Sequence, residues 1–169
     1  SNANNSVDER LAMNSVGAAI LMLSQGTPFM QAGEEMLRTK NGDENSYKSS
    51  DDVNNINWEA LTPDSNEYKM MNYYKGLIEL RKSSFVLTSQ GQTSVSFNRL
   101  SSGGMTALFN SYKGESVLAL INPTSNADSH TLDGEWKLLS DGTQAGADVI
   151  EKVSGTINIP AYTVIILSK

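Results

Sequence analysis

The chain has no cysteine and a single histidine, His130. Disulfides and thiolate or histidine-clustered metal sites are therefore excluded, because the side chains they need are missing. The redox compartment stays open, since secreted proteins also do without cysteine. Basic residues are scarce: 13 Lys and Arg stand against 19 Asp and Glu, for a formal net charge of -6. With no basic cluster to neutralise phosphates, nucleic acid is not an expected partner. No apolar run approaches the roughly 18 residues of a membrane span, so no membrane partner is expected. What is present is 169 residues, enough for one ordinary domain or for a small domain joined to a piece of another. The opening Ser-Asn-Ala reads as the remnant of a cleaved tag, and the natural chain is expected to extend upstream of it.

The stretch around which the rest is organised runs from Ser24 to Trp58. An apolar run, Pro28 to Ala32, lies between Gly26 and Gly33 and predicts a short buried strand. A polar loop from Gly33 to Asn57 follows, rich in carboxylates and amides and longer than ordinary connections. Within it Glu34 to Arg38 predicts a helical turn, with Glu35 and Arg38 as an ion pair, and Asn41-Gly42 a tight turn. Asp51, Asn54 and Trp58 are expected to fix the return path. On either side a helix is predicted. Asn5 to Ser24 carries Val7, Leu11, Val16, Ile20 and Leu23 at helical spacing, with Asp8 and Glu9 at its N-terminus. The second helix, with Thr62 as N-cap and Pro63 at its first position, runs to Lys82 with a stripe of Met71, Tyr74, Leu77 and Ile78. A lone parallel strand between two helices leaves its backbone groups unpaired, so this half is not closed on itself.

Composition changes at Ser83. Beyond it come short strand-like runs: Val95 to Leu100, Thr106 to Tyr112, Val117 to Asn122, Trp136 to Ser140, Thr156 to Ile159 and Thr163 to Leu167. Turn dipeptides such as Asp133-Gly134 and Ser154-Gly155 separate them. Alternation in Val95 to Asn98 suits a half-buried strand, whereas VLALI and TVIIL suit central ones. Six or more such strands predict an antiparallel sandwich. His130 is expected on a surface strand, and Trp136 in a core.

The segments GTPFMQAGEEMLRTKNGDENSYKSSDDVNNINW, YYKGLIELRK, VLALINP and IPAYTVIIL together resemble the end of glycoside hydrolase family 13, in particular its type I pullulanase-like members. The R-T-K and N-S-Y elements point to pullulanases, while Thr27 departs from the aliphatic residue usual there. The resemblance implies an α/β fragment plus an all-β domain. Residues 4–82 would be the last helix-strand-helix piece of a (β/α)8 barrel, and 83–169 an antiparallel Greek-key β-sandwich, domain C.

By the same resemblance the catalytic carboxylates come from barrel strands upstream of Asn5, so no catalytic residue is expected in this chain. Substrate-binding roles fall to Asp43 as acceptor from sugar hydroxyls, Asn45 as donor and acceptor, and Tyr47 as a stacking or hydrogen-bonding ring. The implied partners are an α-glucan (pullulan, starch or glycogen) and the rest of the barrel in cis, with extracellular or cell-surface localisation favoured. Asn41, Asp43, Asn45, Tyr47, Ser49 and Asp52 mimic calcium-loop spacing, but Ser46 replaces the required glycine and Asp52 the final Glu, so no metal or cofactor is expected. Alternatives remain an independent carbohydrate-binding or structural sandwich, and a fragment of an α-amylase or isoamylase relative.

Overall fold

Helix α1 (Val7–Leu23) begins where the sequence offers a reciprocal cap: the Ser6 hydroxyl accepts the Glu9 N–H while the Glu9 carboxylate accepts the Ser6 N–H. Two of the otherwise orphaned donors of the first turn are thereby satisfied. The computed structural model describes residues 4–89, 93–111 and 113–169, so the supposed tag remnant and Tyr112 lie outside the described residues.

After α1 the expected strand does not form. Residues 27–31 are irregular, 32–33 form a turn, and Phe29 is 90% exposed. Among the described residues no neighbouring strand lies beside the run, and a strand is stable only when its donors and acceptors meet a partner's. Local groups are used instead: Glu34 and Glu35 carboxylates accept the N–H groups of Gln31 and Gly33, and the Arg38 guanidinium donates to the Ala32 carbonyl.

The loop is built from 3-10 turns at Glu34–Met36, Lys40–Gly42, Ser46–Lys48 and Trp58–Ala60, plus one short helix α2 (Asp51–Asn54). Helix α3 (Asn66–Ser83) starts later than the Thr62-Pro63 signal implies. Asp64 adopts a left-handed φ of 68°, which turns the chain after Pro63, and the Ser65 hydroxyl is the cap, accepting the Tyr68 N–H. Its buried face is correspondingly rotated to Met70, Tyr73, Tyr74, Leu77, Leu80 and Arg81, leaving Ile78 outside. A short helix α4 (Phe85–Thr88) leads into the β-rich region.

Among the described residues eight strands follow: β1 (Thr93–Arg99), β2 (Met105–Ser111), β3 (Ser116–Asn122), β4 (Asp128–Thr131), β5 (Trp136–Ser140), β6 (Glu151–Val153), β7 (Thr156–Ile159) and β8 (Thr163–Ser168). Six form an antiparallel sheet in the order β1-β2-β3-β8-β5-β6, and β4 pairs with β7. VLALI and TVIIL are neighbours at its centre, as continuous hydrophobicity predicts for strands buried on both faces. His130 sits on β4, partly exposed.

The two faces of the sheet have different partners. Leu118, Leu120, Leu138, Ile165 and Leu167 meet Leu132 and Ile159 at the β4–β7 ribbon. Ala107, Phe109, Val117, Ala119, Ile121, Val164 and Ile166 share one core with Ala19, Leu23, Tyr74, Leu77, Val86 and Leu87 from the helices. Leu138 faces the first core and Leu139 the second by ordinary alternation along the strand, and a register shift after Leu138 sets Ser140 opposite Ile166 of the second core. Arg81 fastens α3 to the end of α1: buried, it donates to the carbonyls of Met22, Ser24 and Gly26 at 2.5, 2.8 and 2.6 Å.

Candidate functional site: the polar loop between α1 and α3

The loop doubles back on itself around Asn54. The Asn54 amide donates to the carbonyls of Ser46 and Ser49 at 2.7 and 3.0 Å, and its oxygen accepts from Lys40 Nζ at 3.0 Å. Lys40 also donates to the Ser46 hydroxyl, and the Arg38 guanidinium donates to the Asn54 carbonyl. Asn54 thus fixes the return path, as its position in the sequence suggests. Leu37, Lys40 and Asn41 all hold left-handed φ angles, between 50° and 58°. Such conformations persist only when surrounding contacts over-determine them.

Glu35 and Arg38 do not form the expected ion pair. Glu35 is taken by the Gly33 N–H and Arg38 by the carbonyls of Ala32 and Asn54. Backbone groups left unpaired by the missing strand compete successfully for both side chains. Glu34 instead accepts from the Tyr74 hydroxyl at 3.1 Å, which ties the loop to α3. Burial, reinforced by the neighbouring Glu34 carboxylate, raises the Tyr74 pKa, so the phenol stays a neutral donor.

Asp43 closes an Asx turn: one carboxylate oxygen accepts the Asn45 N–H at 2.9 Å and the other the Ser49 hydroxyl. The Ser49 hydroxyl and then the Asn45 N–H hold its pKa below the usual 3.8. Asp43 and Asn45 are therefore brought together, both exposed. Tyr47 is 73% exposed, with Lys48 Nζ 5.3 Å from its ring centroid, and Trp58 is 65% exposed. A charged acceptor, a side-chain amide and exposed aromatic rings can bind a neutral polyhydroxyl ligand.

On the inner side of the loop lies a cleft of about 380 Å³, whose lining includes Thr39, Lys40, Asn41, Asp52, Asn55, Asn57 and Glu67. Asp43, Asn45 and Tyr47 are not among its lining residues. The amide-rich tract Asn54-Asn55-Ile56-Asn57 was the available signal for this cleft, whereas Glu67, on α3, carries none. Among the described residues no group of three or more Asp, Glu or His side chains could hold a metal ion.

The surroundings of this loop have clear counterparts. No family model matches the chain. Bacillus subtilis (strain 168) pullulanase is 43% identical over 67 residues, covering 40% of this chain and 9% of that protein. Isoamylases and a glycogen debranching enzyme are among the other relatives. The pullulanase structure from Bacillus acidopullulyticus superimposes with a TM-score of 0.88 at 26% identity, over 99% of this chain and 22% of that one. A pullulanase from Anoxybacillus sp. LM18-11, solved with maltotetraose, gives 0.75 at 25% identity, over 99% and 25%. The chain spans about a tenth of the length of the curated relatives it matches.

Helices packed on an antiparallel sheet, with this loop between them, place the chain among the relatives of α-glucan-debranching glycoside hydrolases. More particularly it is pullulanase-like, matching the C-terminal region of these family 13 enzymes.

Proposed function

We propose that this chain is the C-terminal part of a pullulanase-like hydrolase that cleaves α-1,6-glucosidic bonds of α-glucans. Residues 4–82 complete the catalytic (β/α)8 barrel in cis, and residues 83–169 form a stabilising Greek-key sandwich. The loop contributes Asp43, Asn45 and Tyr47 to glucose binding, while the catalytic carboxylates belong to the rest of the barrel.

The observation that carries this reading is a likeness to pullulanase over the helices, loop and sheet together. The unpaired segment before Gly33 supports it. Beside that segment an open groove of about 600 Å³, with Met30, Met71 and Ile78 in its lining, offers apolar surface next to a 90% exposed Phe29. Apolar surface beside an unpaired would-be strand suits further barrel elements. The hydrogen-bonded carboxylate of Asp43 has its pKa lowered, the opposite direction from the raised value a general acid needs. A glycan platform on the isolated sandwich finds no support at Trp136, which is buried with its indole N–H on Asp133.

The test is a hybrid in which this chain replaces the matching region of the Bacillus acidopullulyticus enzyme. The hybrid is expected to hydrolyse pullulan, and the chain alone to be inactive. A folded hybrid that cleaves only α-1,4 bonds overturns the bond assignment, and pullulan hydrolysis by the chain alone overturns the division of labour.

A further inference from the structure

A second groove, of about 330 Å³, lies where the N-terminal turns of α1 and α3 meet the turn at Gly142 and the segment before β8. It shares no lining residue with the loop cleft, although Glu67 borders that cleft and its neighbour Asn66 borders this groove. Leu11 and Met70 contribute apolar surface and Tyr162 an aromatic ring, while Asp8, Asn66 and Lys69 add a carboxylate, an amide and an ammonium.

We infer that this groove is an accessory subsite for an α-glucan chain, an inference that rests on the α-glucan reading above. A glucose unit presents an apolar C–H face and a ring of hydroxyls, each both donor and acceptor. It therefore suits an aromatic and aliphatic surface bordered by mixed donors and acceptors. Asp8 and Lys69 carry opposite charges that offset one another, so the lining side chains carry no net charge to select a phosphate or a metal cation, which suits an uncharged ligand.

The wall is also held in advance of binding. Tyr162 has a left-handed φ of 48°, anchored by its N–H on the Thr124 carbonyl at 3.0 Å. Beside it, Gly142 has a φ of 94°, and an added Cβ would lie 2.6 Å from Cγ2 of the adjoining Thr163. Two backbone positions that ordinary side chains disfavour thus shape one end of the groove, which reduces the ordering cost of binding.

The experiment is titration of the full chain with maltotetraose, followed by amide NMR shifts, with cellotetraose as the β-linked control. Maltotetraose is expected to shift amides at 8–12, 66–70 and 162, and cellotetraose much less. Lys69→Ala, at an exposed position, is expected to weaken that set of shifts about fivefold, the loss of one net hydrogen bond, while Asp43→Ala leaves it in place. Tyr162→Ala is expected to abolish it; should that variant not fold, the Lys69 comparison decides alone. Shifts confined to residues 39–57 overturn the subsite and leave the α-glucan reading standing. Unshifted groove amides at saturating maltotetraose, equal response to cellotetraose, or no effect of Lys69→Ala also overturn it, independently of the hybrid-enzyme result.

Discussion

Gly76→Ala should destabilise the protein, although helix propensity alone says the reverse. In an exposed helix interior alanine is favoured over glycine by about 0.8–1 kcal/mol. Here an ideal Cβ at Gly76 would sit 1.8 Å from the carbonyl oxygen of Ala145 and 2.6 Å from its carbon. Carbon and oxygen approach no closer than about 3.3 Å in favourable contacts, so α3 and the turn carrying Ala145 must part by more than ~1 Å. Both partners are backbone and cannot yield by a rotamer change. Overpacking of this kind costs about 1–3 kcal/mol or more, and the separation also strains the nearby Tyr73 to Ser140 hydroxyl contact at 3.4 Å. Setting about 3 kcal/mol of overlap against about 1 kcal/mol of propensity leaves a net loss near 2 kcal/mol. Gly17→Ala is the matched control, since that position is exposed with nothing within 4 Å of the added carbon. It should gain the propensity term undiminished. In urea unfolding followed by circular dichroism, with a slope near ~2 kcal/mol/M, the midpoint should fall by about 1 M for Gly76→Ala and rise by about 0.4 M for Gly17→Ala. A rise for both refutes the close approach of α3 to the Ala145 turn.

Arg81→Met should cost about 3–5 kcal/mol, because it strands three carbonyls that now receive a charged donor; urea unfolding measures it, and a change under ~0.5 kcal/mol, the scale of surface substitutions, contradicts the clamp. Asp128 accepts from the Ser102 and Ser129 N–H groups and the Ser101 hydroxyl, which hold its carboxyl well below the usual 3.8. Its depressed pKa contributes stability at pH values above 3.8 that is lost as pH falls through the folded value. Asp128→Asn should therefore lower Tm at neutral pH, with the gap to the parent closing progressively below pH 3.8; an equal gap at pH 2.5 and pH 7 counts against it. Asn54→Ala should speed hydrogen exchange at 46–54 without a matching fall in global stability, and unchanged exchange there contradicts its role as the loop's pin.

Helices α1 and α3 were legible because their apolar spacing is periodic, and β3 and β8 because runs of five and four consecutive apolar residues announce burial on both faces. What was not legible depended on partners. Residues 28–32 have strand composition, but composition supplies no neighbouring strand, and the run stays irregular. The cap of α3 moved from Thr62 to Ser65 because a left-handed Asp64 intervenes, a conformation Asp tolerates but does not advertise. Strand β6 was missed since Glu151-Lys152-Val153 is an exposed edge with little hydrophobicity. At the loop, Asp43 and Asn45 stand together as neighbours in one turn, whereas the inner cleft arises from chain reversal around Asn54 and draws on residues from Gly33 to Glu67.

The composition break at Ser83 does not coincide with a break in the hydrophobic interior. Phe109, Val117 and Ile121 share one core with Ala19, Leu23, Tyr74 and Leu77, so cutting the chain there would bare an oily flank on both products. For anyone exchanging parts between this chain and its pullulanase relatives, the natural cassette is accordingly helices with sheet, and a graft of the strands alone invites precipitation.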